Sequence, residues 1–198
     1  GIGKSVCEVF HLEGYNVIGV DRKQITDCPY DSVRYDIRNL NSSPEIRQQF
    51  YRKIEAITHG QLDCIVNNAA IQIVKPVEEL NDSDWKETLD TNLLAPFWLI
   101  QTFLTLLRKN RGNIVNIASI HATATKSEFT AYATSKGALV SLTRALAVEL
   151  APDIRANAVI PAATDTPMLR AGFGDNIAGL ETLGSYHPLR RIANPQEV

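Results

Sequence analysis

Tyr132 and Lys136 stand four residues apart on a stretch, Phe129 to Leu150, that reads as an Ala-rich helix, so their side chains share one face about one turn apart. A lone Tyr-x-x-x-Lys pair is commonly no more than a tyrosine ring packed under a lysine stem. Ser119 adds weight to the chemical reading, because it lies just past an apolar run, Asn113 to Ile117, that reads as a strand. Sheets flanked by helices place ligand groups beyond that end of a strand. A phenol with an ordinary pKa of about 10 is a poor base near neutrality, but a nearby ammonium favours the phenolate and lowers that value. Tyr132 can then exchange a proton with an alcohol or carbonyl oxygen while Ser119 hydrogen-bonds the same oxygen.

The first six residues, GIGKSV, offer a second kind of chemistry and two ways to read it. Gly3-Lys4-Ser5 fits the end of a phosphate loop, and Gly1-x-Gly3 fits the end of a dinucleotide-binding turn. A triphosphatase needs a later strand that ends in an acid for Mg²⁺, yet Leu62 to Val66 ends in asparagines and Asn113 to Ile117 in Ala-Ser. The acid that does close a strand is Asp21, 18 residues after Gly3. That spacing suits a carboxylate that meets the adenosine ribose while the glycines bring the backbone to a pyrophosphate.

The elements that must position these residues alternate between β-rich runs and helical ones, the pattern of a parallel sheet between two layers of helices. Lys4 to Glu13 reads as a helix closed by Gly14, and Asn16 to Asp21 as a strand. Ser32 to Ile37 reads as a short strand, Pro44 to Thr58 as a helix and Leu62 to Val66 as a strand. Asn81 to Asp84 offer caps for a long helix running to about Leu107 and bent at Pro96. Ile154 to Ile160 is the last clear strand, and 162 to 194 is loop-like, short-helical and glycine-bearing. Long irregular segments in compact domains are usually functional.

Composition narrows the function classes. The 198 residues are 44% hydrophobic and 21% charged, with a formal net charge of -2 and no Lys/Arg-rich run, which favours one globular domain and disfavours nucleic acid as a partner. Three scattered cysteines and four histidines without ligand spacing suggest neither a disulfide framework nor a metal site. With no signal segment, and with an apolar stretch at Leu93 to Leu107 too short for a bilayer, a cytoplasmic protein without a membrane partner is expected.

Taken together these motifs resemble the short-chain dehydrogenase/reductase family in its single-domain form. Gly1-Ile2-Gly3 is similar to the end of its glycine turn, Asp36-Ile37 to its adenine-contacting pair, and Asn67-Asn68-Ala69-Ala70 to its N-N-A-G segment. Asn92 matches its helix asparagine. Ser119, Tyr132 and Lys136 match its catalytic set, with thirteen residues from serine to tyrosine, and Pro161 to Thr166 resembles P-G-x-x-x-T.

The resemblance implies a Rossmann-like, doubly wound α/β fold and hydride transfer between a nicotinamide cofactor and a small alcohol or carbonyl substrate. It makes Tyr132 the acid/base, Ser119 the orienting group, Lys136 the residue that lowers the tyrosine pKa and holds the nicotinamide ribose, and Asn92 the keeper of a water linked to Lys136. The cofactor residues it implies are Gly1, Ile2, Gly3, Asp21, Asp36, Ile37, Asn68, Ala69, Ala70, Tyr132, Lys136, Pro161, Thr164 and Thr166. Asp21 favours NAD, with NADP admitted by the neighbouring Arg22. A homodimer or homotetramer through the two long helices is implied as well, and a substrate-binding region at 162 to 194, chiefly Met168 to His187.

The chain departs from the family in Ala70 and Ala162, which stand where glycines are usual, and a methyl there is costly only at positive φ or against the cofactor. The family's first strand, about a dozen residues with the start of the turn, would precede Gly1, and a helix and strand would follow Val198 in a chain of roughly 250 residues. These departures leave two other readings, a non-catalytic dinucleotide-binding or scaffold protein of the same fold and an inactive fragment.

Overall fold

A computed structural model describes residues 1–174 and 176–198. Asp175 and the side chain of Ile177, both within the expected specificity segment, lie outside the described residues. The chain forms two compact units, one from Gly1–Asp36 with Pro161–Val198 and one from Ile37–Ile160.

In the first unit, α1 (Ile2–Leu12) starts at Gly1 without a side-chain cap and is closed by Gly14, whose φ of +87° suits a glycine. Strand β1 (Ile18–Asp21) pairs in parallel with β2 (Asp31–Arg34), from Ile18 against Asp31 to Asp21 against Arg34. A 3-10 turn at Ile37–Asn41, which opens the second unit, takes over the end of the strand expected to reach Ile37. The late stretch forms α6 (Pro167–Ala171), α7 (Ile177–Ser185) and a 3-10 turn at Pro195–Glu197, joined by a parallel bridge between Thr164 and Ala193.

In the second unit β3 (Cys64–Asn67), β4 (Asn113–Ile117) and β5 (Arg155–Val159) make a parallel sheet in that order. Among the described residues β1 pairs only with β2, and β3 only with β4. Helix α2 (Pro44–Thr58) begins as its sequence dictates, with Pro44 in the first turn and Ser43 Oγ accepting from the Ile46 amide at 3.4 Å. Asn81 and Asp84 cap α3 (Asp82–Leu89) reciprocally. Helix α4 (Ala95–Lys109) buries Ile100, Phe103, Leu106 and Leu107, a stripe at helical period. Phe103 meets Tyr51 and Phe50 of α2 with ring centroids 5.5 and 6.0 Å apart. Helix α5 (Thr130–Glu149) buries Leu139, Val140 and Leu146 on the same core.

The long helix expected to bend at Pro96 is interrupted earlier. A π-turn at Asp90–Leu94 joins α3 to α4, with the Ala95 amide reaching back to the Asp90 carbonyl. Pro96 lies in the first turn of α4, where its missing N–H leaves no bond unmade. At the turn into β4, a Cβ on Gly112 would come within 2.9 Å of the Asp63 carbonyl oxygen, so the α4–β4 connection needs a glycine. Among the described residues, no helix is long and apolar enough to cross a membrane, and no group of three or more His, Cys, Asp or Glu could hold a metal.

Candidate active site

The second unit brings Ser119, Tyr132, Lys136 and Asn92 together from three elements. Beyond β4 the sheet bonding runs one residue further, the Ala118 amide donating to the Val159 carbonyl at 2.8 Å, and this delivers Ser119 in extended conformation. Ser119 then caps a 3-10 turn, Ile120–Ala122, its Oγ accepting from the His121 amide at 3.3 Å. Tyr132 lies in the first turn of α5 and is buried, 7% exposed. One turn later Lys136, only 3% exposed, donates from Nζ to the Ile117 carbonyl at 2.7 Å and lies 5.8 Å from the Tyr132 ring centroid.

Burial dominates the electrostatics of this group. It holds the Tyr132 phenol above its ordinary value, with the Ser119 hydroxyl pulling more weakly the other way. It also brings the Lys136 ammonium down to about 8. Burial, and not the lysine, therefore sets the direction of the tyrosine's shift, against the lowering expected from the sequence. The same dry surroundings penalise the charged form of both groups, although Lys136 stays protonated below about pH 8, and Lys136 spends its short hydrogen bond on a main-chain carbonyl.

Asn92 sits in the π-turn, 1% exposed, and its side chain is fully engaged. Its Oδ1 accepts from the Ile71 amide at 2.9 Å, and its Nδ2 donates to the Ile71 carbonyl at 2.9 Å and to Ser135 Oγ at 3.0 Å. Ser135 Oγ in turn donates to the Tyr132 carbonyl at 2.7 Å. The Asn92 side chain ties the loop after β3 to the helix turn that carries Tyr132. A second buried chain runs alongside. Asn67 Nδ2 donates to Asn116 Oδ1 at 2.8 Å, Asn116 Nδ2 to Thr143 Oγ1 at 2.8 Å, and Thr143 Oγ1 to the Leu139 carbonyl at 2.7 Å. Sequence reading missed Ser135 and Thr143. Ser135 stands beside Lys136 in the quoted Tyr-Ala-Thr-Ser-Lys run, but nothing in the spacing says that its hydroxyl turns inward.

The expected cofactor residues fall in both units. In the first, Gly1 opens α1 and lies against Thr166 and Pro167, since a Cβ on it would meet their side chains at 3.6 to 3.7 Å. Ile2 and Gly3 form the first turn of that helix. Lys4 pairs with Glu8 at 3.6 Å on an exposed face, as an ordinary helix residue does. Asp21 ends β1 exposed, its Oδ1 accepting from the Lys23 amide at 2.8 Å, and Asp36 closes this part of the chain. Pro161 begins the returning segment, Thr164 is buried, and the Thr166 hydroxyl caps α6 by accepting from the Leu169 amide at 3.1 Å. In the second unit Ile37 opens its 3-10 turn, and Asn68, Ala69 and Ala70 follow β3. Neither Ala70 nor Ala162 has positive φ, so neither methyl strains the backbone.

Comparison with known proteins shows what this arrangement is similar to. A family profile described as short chain dehydrogenase matches residues 1–176. Glucose and ribitol dehydrogenase homolog 2 of Arabidopsis thaliana is 30% identical over 212 aligned residues, which take in 100% of this chain and 72% of the relative. The ligand-free structure of Thermoplasma acidophilum aldohexose dehydrogenase is 30% identical, with a TM-score of 0.92 covering 100% of this chain and 79% of that one. ElxO with NADP bound is 26% identical, with a TM-score of 0.86 covering 100% of this chain and 83% of that one.

Proposed function

Because the chain belongs to the short-chain dehydrogenase family and is an NAD(P)-dependent oxidoreductase of Rossmann-like fold, we propose that it interconverts a small alcohol and its carbonyl compound, with Tyr132 as the acid/base. The observation that carries this reading is Tyr132, buried with Lys136 Nζ 5.8 Å from its ring centroid, and Ser119, buried just past the end of β4.

The residues present fit a nicotinamide dinucleotide. Helix α1 opens with no side-chain cap, which leaves its first amides to an anion, and Gly1 carries no side chain to obstruct one. Asp21 offers a carboxylate at a strand end for ribose hydroxyls. In the first unit Gly1, Ile2, Gly3, Asp36, Pro161, Thr164 and Thr166 join it as residues proposed to hold the cofactor, and in the second Ile37, Asn68, Ala69, Ala70, Tyr132 and Lys136 are proposed for the same role. The Asp21 carboxylate favours NAD over NADP, whose extra phosphate would meet a like charge, although ElxO and another neighbour were solved with NADP or NADPH. Bound nicotinamide supplies or takes the hydride.

The chain's own residues move the proton. Ser119 orients the substrate oxygen, and Tyr132 meets the same atom. Burial keeps the phenol protonated, the form that gives a proton to a carbonyl oxygen as it becomes an alcohol. The reverse direction needs the phenolate and gains as pH rises. Lys136 lies where it can stabilise that phenolate once charged. The intact set argues against a purely binding role.

Tyr132→Phe is the direct test. It removes one oxygen and keeps the ring, so turnover over a panel of secondary alcohols and ketones falls by about 10³-fold or more while NADH affinity stays within about twofold. Retained turnover would sink the assignment. Running the wild type with both cofactors checks Asp21, the expected outcome being a higher kcat/KM with NAD.

A further inference from the structure

The 3-10 turn after Ser119 carries a histidine that the proton chemistry does not use. The His121 ring stacks on Phe129 with centroids 4.4 Å apart and planes 13° from parallel, and it meets the Tyr132 ring edge-on at 5.9 Å. Nδ1 lies 3.0 Å from Thr125 Oγ1, and the main-chain amide is bonded to Ser119 Oγ. One face, one nitrogen and the backbone are thus fixed. Among the described residues, Nε2 has no hydrogen-bond partner. Lys126, whose ammonium lies 4.8 Å from the Phe129 ring centroid on the same loop, is the charged neighbour.

We infer that His121 is a specificity-determining residue, its Nε2 binding a hydroxyl on the carbon next to the one that reacts, so that the substrate class is a vicinal diol or the corresponding hydroxy-ketone. The inference rests on the reading that Ser119 and Tyr132 meet the reacting oxygen. The ring stands on Ser119's own turn and against Tyr132, and so beside the reacting oxygen rather than at the far end of a substrate. Burial and the Lys126 charge hold His121 below its ordinary pKa, so the ring is neutral near pH 7 and suits a hydroxyl better than a carboxylate. A hydroxyl both donates and accepts, so either tautomer of the imidazole serves. A substrate without that hydroxyl would leave a polar atom unpaired, and discrimination of this kind can be large.

The test compares 2,3-butanediol with 2-butanol as probes. In the wild type the ratio of their kcat/KM values favours the diol by about tenfold or more. His121→Phe keeps a ring for the Phe129 stack and loses both nitrogens, and the ratio falls by about tenfold. His121→Gln, which returns a polar atom near the Nε2 position, recovers most of the ratio, whereas His121→Asn does not. A ratio unchanged in His121→Phe, or no diol preference in the wild type, overturns the inference. A readout without turnover separates this from failure of the catalytic reading. With diol, and not with 2-butanol, the ¹⁵N resonance of Nε2 shifts on titration in the presence of NADH. A diol-specific shift without turnover of either alcohol would count against the catalytic reading alone, and the absence of such a shift would overturn the contact.

Discussion

Tyr132 and Lys136 are moved in opposite directions by one cause, the loss of water around both. For Lys136 the consequence for stability has a definite sign. Between pH 8 and pH 10 the unfolded chain holds the lysine proton while the folded chain, with its pKa at about 8, gives it up, so this residue makes stability rise with pH across that window. Below pH 8 both states are protonated, and the cost of burying the charge, roughly 3 kcal/mol, is present in full. Urea denaturation of the cofactor-free protein at pH 8 and pH 10 should show the wild type gaining about 2 kcal/mol relative to Lys136→Met. The difference between the two proteins is the quantity to read, because Cys7, Cys64 and Tyr132 are also shifted by burial and titrate in or above this range. That Tyr132 and Lys136 share one helix face, with Ser119 just past a strand, was legible in spacing. Which electrostatic effect wins was not, because proximity of an ammonium can be read from an i, i+4 pair and depth of burial cannot.

Helix boundaries followed local chemistry closely where caps are explicit. Pro44 to Thr58 and Asn113 to Ile117 match the expected spans, and Asn81 caps α3. The break between α3 and α4 was misplaced at Pro96, because a proline is a visible helix breaker in a sequence and an extra residue in a turn is not. That turn turns out to carry Asn92, in keeping with the frequent use of π-turns at functional sites. The bond from Asn92 through Ser135 to the Tyr132 carbonyl makes Ser135 a positioning residue. Ser135→Ala should cost about 1–3 kcal/mol in stability, by leaving an Asn92 amide hydrogen unpaired, and lower kcat about tenfold with little change in cofactor affinity. Ser135→Thr, which restores the hydroxyl, should recover part of kcat. If the alanine variant is less stable yet keeps kcat, Ser135 is structural only.

Each unit owes its cohesion to a different stretch of chain. The alternating pattern predicted a parallel sheet between helices, and the first unit holds β1 and β2 while the second holds β3, β4 and β5. Nothing in the hydrophobic pattern marks Asp36 or Pro161 as a divide, because both lie in ordinary loops after strands. The second unit is one unbroken run, Ile37–Ile160, whereas the first is assembled from two pieces with that whole run between them. This sets an order of events during synthesis. Loop closure over so long an intervening segment is slower than closure within either piece. As the chain emerges from the ribosome, β3, β4 and β5 can find one another while residues 161–198 are still unmade, and α1 must wait for Thr166 and Pro167 before Gly1 has its packing partner. Pulsed hydrogen exchange during refolding should therefore find the amides of β4 protected before that of Asp165, which bonds to Ala193. Simultaneous protection would mean that the two units form in one step.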